Sequence, residues 1–193
     1  MTTVFDVCNR AVAQIAEIPS ITPVTGINPP AGDSIAAANA ASLLYQPIYL
    51  AILRQFEWDF AKKVAPLVAA TAPPLVPWLY QYLYPADCIQ FRQVAPPPGT
   101  IDPNDPQPLR HAVADDDRGG TAQKVILANQ AAALGVYTAD VADPTLWDWG
   151  FAEAMVRALA SALALTLAGR PDFSREKLSE AAQFESIAES RRS

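Results

Sequence analysis

Cysteine, histidine and clustered positive charge are what this chain of 193 residues has least of. Cys8 and Cys88 are its only cysteines, too few for a disulfide framework. His111 is its single histidine, so Ser-His or Cys-His catalysis has one candidate base, and a His/Cys metal set cannot be assembled. The cysteines read as two small buried apolar thiols. The eight glycines are dispersed, and no phosphate-cradling loop or nucleophile elbow can be read from them. Formal net charge is −6, and only Lys62-Lys63 and Arg191-Arg192 place basic residues side by side. A stripe able to neutralise a run of phosphates is missing, which argues against stable wrapping of nucleic acid. The N-terminus has no charged leader ahead of an apolar run, so no signal peptide is expected. Residues 151–168 are apolar, but Glu153 and Arg157 interrupt them, and the uncharged remainder falls short of the ~20 residues that a bilayer requires.

What is present is apolar residues, 51% of the chain, ample for a core. Thr3 with Asp6 three residues on forms a capping-box pattern, and Val4, Cys8, Ala11, Ile15 and Ile18 share one helical face before Pro19. A second helix is predicted from the caps Asp33 or Ser34 to about Phe56, roughly 35 Å long, with Pro47 inside it and a bend expected there. Beyond Glu57-Trp58-Asp59 a short helix or turn is predicted through Val64. The middle changes character: residues 79–84, 89–94, 124–129 and 134–138 read as strands. Between the second and third of these lies a proline-rich stretch from Pro96 to Gly120, read as an extended arm with one short strand around residues 109–113. Helix returns with Asp143 as cap and Pro144 at the first helical position, ending at Gly169. Ser174 is predicted to cap a final helix, with Phe173 and Leu178 as a hydrophobic staple. The expected fold is α+β and mainly α. A helical bundle from the two ends of the sequence (1–70 and 143–193) carries an antiparallel β insertion (78–140) with a long loop (95–120), all within a single domain, 1–193.

Candidate chemistry is sparse. His111 beside Arg110 reads as a solvated loop residue. Asp115-Asp116-Asp117 reads as a solvated acidic turn, since adjacent carboxylates in an extended chain do not converge on one cation. Glu57 and Asp59 flank Trp58 as paired carboxylates would, yet they read as the wet side of a bend whose rings point inward. Trp78, Tyr80, Tyr82 and Tyr84 alternate, so period two places four rings on one sheet face. A stacking platform for single-stranded nucleic acid would add Lys or Arg, and only Arg92 is near in sequence, so packing is the better reading. Neither a catalytic residue, nor a cofactor-binding residue, nor a metal ligand is expected. Cys8, Phe56, Trp58, Phe60, Trp78, Tyr80, Tyr82, Tyr84 and Trp147 are expected to form a structural core signature. Candidate partner contacts are Pro97, Pro103 and Pro106 in the arm and Phe184, Ile187, Arg191 and Arg192 in the tail.

Taken in order, Val7-Cys8-Asn9-Arg10-Ala11, Phe56-Glu57-Trp58-Asp59-Phe60-Ala61, Trp78-x-Tyr80-x-Tyr82-x-Tyr84-Pro85-Ala86-Asp87-Cys88, Tyr137, and Asp143-Pro144-x-x-Trp147 ahead of an alanine-rich helix at 159–164 make a pattern. It resembles the tail tubular protein A and head-to-tail adaptor family of short-tailed bacteriophages, over nearly the whole chain. Ala16-Glu17 stands where that family often has Ile-Gly, and the proline-rich insert has no clear counterpart. The resemblance implies a non-enzymatic virion protein made in the host bacterial cytoplasm and located at the head-tail junction. It implies a ring, commonly of twelve copies, below the portal protein, joining it to the tail or nozzle protein. DNA would pass through the channel without specific binding, and no membrane is involved. Two other readings come from the residues: a small helical regulatory protein dimerising through the alanine-rich helix, and a peptidoglycan hydrolase using Glu57 and Asp59.

Overall fold

The computed structural model describes residues 3–15, 36–97, 109–118, 120–168 and 175–183. The chain divides into two compact units. The helical unit holds Met1–Phe60 and Val141–Ser193, and the β unit holds Ala61–Asp140.

In the helical unit, α1 spans Val4–Ala13. Its capping box is complete: Thr3 Oγ1 accepts from the Asp6 amide at 3.1 Å, and the Asp6 carboxylate accepts from the Thr3 amide at 2.8 Å. These bonds satisfy backbone donors that the first turn leaves orphaned. The helix ends sooner than the apolar spacing suggests, with Ile15 already in a bend and buried. Helix α2, Ala36–Gln55, retains Pro47 in its interior. Downstream, the single predicted helix is two elements. Asp143 caps a 3-10 turn, Pro144–Leu146, and Asp148 then caps α3, Trp149–Leu163, through the Gly150 amide at 2.7 Å. A π-helical turn, Ala164–Ala168, follows α3, and residues 175–183 form a further helix, α4. Val7, Ala11 and Val12 of α1, Ile52 and Leu53 of α2, and Phe151, Met155 and Leu159 of α3 are all buried.

The β unit contains β1 (Lys62–Pro66), β2 (Tyr80–Leu83), β3 (Cys88–Ala95), β4 (His111–Asp116), β5 (Gln123–Ala128) and β6 (Leu134–Ala139). They form two antiparallel sheets, ordered β1-β6-β3 and β2-β5-β4. Phe91, Val94, Tyr137 and Ala139 of the first sheet share one core with Tyr82, Ile126 and Ala128 of the second. Isolated bridges close both sides: Ala69, just after β1, pairs with Tyr82 of β2, and Val94 of β3 pairs with Leu109, just before β4.

Six strands in two sheets overturn the expected mainly-α helical bundle: the fold is α+β. Two strands carry weak signals. β1 (Lys-Lys-Val-Ala-Pro) has one β-branched residue and lies where the sequence predicts helix or turn. β4 sits inside the stretch expected as an arm, overlapping the one short strand expected there at 109–113 but running on to Asp116, and three of its six residues are alanine or valine. Both are held by cross-strand partners, β6 for one and β5 for the other, rather than by local propensity.

Candidate functional site

The aromatic residues of the expected core signature converge in two places. In the helical unit Phe151, fully buried, is the hub. Trp147, Trp58 and Phe60 meet its ring edge-on at centroid distances of 4.9, 5.1 and 5.0 Å, and Tyr49 meets it at 6.0 Å. Phe56 packs on Trp58 at 6.1 Å. Edge-to-face pairs at these spacings add to the area that they bury. The Trp58 indole donates to the Ile52 carbonyl at 3.1 Å, so its polar atom is satisfied inside the core. Glu57 and Asp59 are exposed on either side of buried Trp58. Cys8 is buried on α1, and burial pushes its thiol up to about 11, the setting of an inert structural cysteine. Phe151 and Tyr49 were not in the expected signature. The signal for Phe151 was its spacing from Trp147, one helical turn on.

In the β unit the four alternating rings do not share one role. The strand contains only Tyr80 and Tyr82, stacked at 6.5 Å. Tyr82 is buried and its hydroxyl donates to the Gln130 carbonyl, whereas Tyr80 is 40% exposed. Trp78 precedes the strand and lies under the Arg110 guanidinium at 5.7 Å. Tyr84 follows the strand and packs on Phe91 at 6.3 Å. His111, expected in a solvated loop, pairs with Ala128 in β4 and meets Phe91 edge-on at 5.4 Å.

The acidic triplet is also not a uniformly solvated turn. Asp115 and Asp117 are exposed, but Asp116 ends β4 and is buried. Its carboxylate accepts from Arg118 Nε at 2.8 Å, Arg118 Nη2 at 2.9 Å and Gln81 Nε2 at 2.6 Å. Arg118, then Gln81, hold this carboxyl well below the usual range. Gln81, itself buried, accepts from the Leu75 amide, and Arg118 donates to the Pro73 carbonyl at 2.7 Å. The network thereby ties residues 73–75 to the sheet. Every partner is internal, and the arrangement is a staple for a loop.

Two further polar groups behave alike. Asp87 accepts from Lys63 Nζ at 2.5 Å and from the Tyr137 hydroxyl at 3.0 Å, and Lys63 in the first place lowers its pKa. Glu153, buried on α3, accepts from Arg10 of α1 and from Arg157 at 2.5 Å. Arg157 continues to Glu180 of α4 at 3.1 Å. Burial opposes ionisation of Glu153, yet the two arginines prevail and its pKa is lowered. Each of these carboxylates is engaged by side chains of its own unit, which suits cohesion. Among the described residues no three His, Cys, Asp or Glu side chains are grouped to hold a metal, and no helix is long and apolar enough to cross a membrane.

Of the candidate partner contacts, Pro97 is half-buried just beyond β3. Pro103, Pro106, Phe184, Ile187, Arg191 and Arg192 lie outside the described residues, as do Phe173 and Ser174 of the predicted staple. Leu178 of that pair is 59% exposed. Several large apolar side chains share this exposure: Leu43, Leu146 and Trp149 in the helical unit, and Val64, Val68, Val76 and Leu79 in the β unit. No protein-family model matches the chain, and no curated protein matches it.

Proposed function

We propose that this chain is a virion structural protein, the ring-forming subunit of a head-to-tail adaptor that joins a portal to a tail and surrounds the DNA path. The observation that carries the reading is the cluster around Phe151. Phe56, Trp58 and Phe60 from one motif and Trp147 from another, about ninety positions later, pack as one unit. Two of the motifs on which the adaptor resemblance rests thus meet in one packed cluster, from segments that bracket the β unit in sequence. Carboxylates engaged within their own unit and exposed apolar side chains accord with work done by shape and contact. The acidic balance suits a wall past which DNA slides.

Negative-stain imaging of the protein, alone and mixed with a candidate portal, tests the proposal. A ring on the portal axis is the expected image. A stable symmetric dimer that ignores portals would favour the regulatory reading and sink this one. Deleting residues 96–108 or 173–193 should abolish attachment while the fold persists. Full attachment by both truncated chains would remove those segments from the contact.

A further inference from the structure

Two edge strands of the β unit differ in a way that matters for assembly. On β1, alternate residues Lys62, Val64 and Pro66 are all exposed, with Val64 at 55%, and Val68 just beyond is 64% exposed. Lys62 has no ion-pair partner among the described residues, while its neighbour Lys63 is held by Asp87. On β4, the alternate residues Val113 and Asp115 are exposed, and Asp117 follows in the same alternation. Asp115 lies opposite Lys124 in the sheet, but that lysine sits over the Tyr84 ring at 5.3 Å, and Arg118 is committed to Asp116. One edge is therefore apolar and basic, the other apolar and acidic.

Topology sets these edges on opposite sides of the unit. β1 and β3 are the two margins of the first sheet. The Ala69–Tyr82 bridge puts the end of β1 beside β2, and the Val94–Leu109 bridge puts the start of β4 beside β3. A patch on one side that complements a different patch on the far side cannot close a two-fold dimer. It propagates head to tail, and closes as a ring when the rotation permits.

We propose that the β1 edge of one copy docks on the β4 edge of the next, with Val64 and Val68 facing Val113 and Lys62 facing Asp115. This deepens the ring reading given above and rests on it. The occupant of each edge is a second copy of this chain. Pro66 and the lysines disfavour direct strand addition at β1, so the contact is made by side chains. The charges choose partner and register, and the valines supply the buried area.

Charge exchange tests the contact. Lys62→Glu and Asp115→Lys are prepared as single variants, with circular dichroism to check the fold, and self-association is followed by sedimentation velocity at low salt. Wild type should form species larger than a dimer, and each single variant should associate about tenfold more weakly. An equimolar mixture of the two variants should recover wild-type association. When the two variants alternate along the assembly, one contact pairs the introduced glutamate with the introduced lysine, and the next pairs the native Lys62 with the native Asp115. Single variants that assemble as well as wild type overturn the β1–β4 contact and leave the adaptor reading standing. A mixture without recovery overturns it equally. Wild type that remains monomeric up to ~1 mM overturns the contact too, and the portal mixture then decides the adaptor reading separately. A two-fold dimer as the sole product overturns both.

Discussion

Tyr49 and Trp147 hold the two polar atoms of one residue, Val141. The Tyr49 hydroxyl accepts from the Val141 amide at 3.0 Å, and the Trp147 indole donates to the Val141 carbonyl at 2.7 Å. The two rings stack at 5.6 Å, so each bond holds the other ring in place. Val141 is the first residue after the β unit, and the clamp fixes the chain where it re-enters the helical unit. Tyr49→Phe removes one bond from a half-buried amide and is expected to cost about 1 kcal/mol, and Trp147→Phe about 1–3 kcal/mol. The double variant should depart from additivity by at least ~0.5 kcal/mol in urea denaturation of the helical signal. Additive costs would mean that the two side chains act independently.

Trp58 is expected to matter for folding and for nothing chemical. It is 2% exposed, touches Phe56, Phe60 and Phe151, and spends its only polar atom on Ile52. Trp58→Ala should cost ~3–5 kcal/mol. Trp58→Phe should retain most of the packing and lose the indole bond, at a smaller cost. Thermal denaturation ranks the two against wild type. Equal, near-zero costs would show that this ring cluster does not organise the helical unit.

The helical unit was largely legible because its signals are local. Thr3 and Asp6, Asp143-Pro144, and apolar spacing at three and four residues each act within one or two turns. The four strands with aromatic or β-branched runs were legible for the same reason. β1 was not, since a lysine pair and a proline say little until β6 lies alongside, and β4 was legible only in part, as a short strand at 109–113 that the structure places at His111–Asp116 beside β5. Asp116 shows the same limit in polar form. Nothing in three consecutive aspartates tells which one will turn inward, because the choice is made by strand alternation and by Gln81, thirty-five positions away. The split of the last long helix into two was missed because Asp143-Pro144 is a sound start signal, and Asp148 supplies another only five residues on.

Gly135 marks the tightest approach inside the β unit. A Cβ built there would lie 2.6 Å from Leu67 Cδ2 and 3.0 Å from Phe91 Cε2. Leu67 and Phe91 both belong to the shared core between the sheets. Gly135→Ala must displace one of them and is expected to destabilise the β unit by about 1–3 kcal/mol. Pairing the substitution with Leu67→Ala, which clears the nearest atom, should cost less than the sum of the two singles. Simple additivity would place the clash elsewhere.

Glu153 supplies the clearest dependence on pH. Its carboxylate lies between Arg10 and Arg157, and its folded pKa is below the ordinary 4.5. The folded state therefore binds this proton less readily than the unfolded state. Its contribution is present in full above about 4.5 and is lost as the pH falls through the lowered folded value. Glu153→Gln retains the shape, removes the charge, and takes the anion from between Arg10 and Arg157, although Arg157 keeps Glu180. Arg10 is 47% exposed and water compensates it, so the expected cost at pH 7 is about 1–3 kcal/mol. The difference between wild type and Glu153→Gln should then shrink steadily below pH 4.5, because a protonated Glu153 resembles the glutamine. Asp116 and Asp87, whose pKa values are also lowered, titrate alike in both proteins and cancel in the comparison. Denaturant titrations of both proteins from neutral pH to about pH 3 give the difference directly. A gap that stays constant across that range would assign the loss to packing and remove the ion network as the tie between α1 and α3.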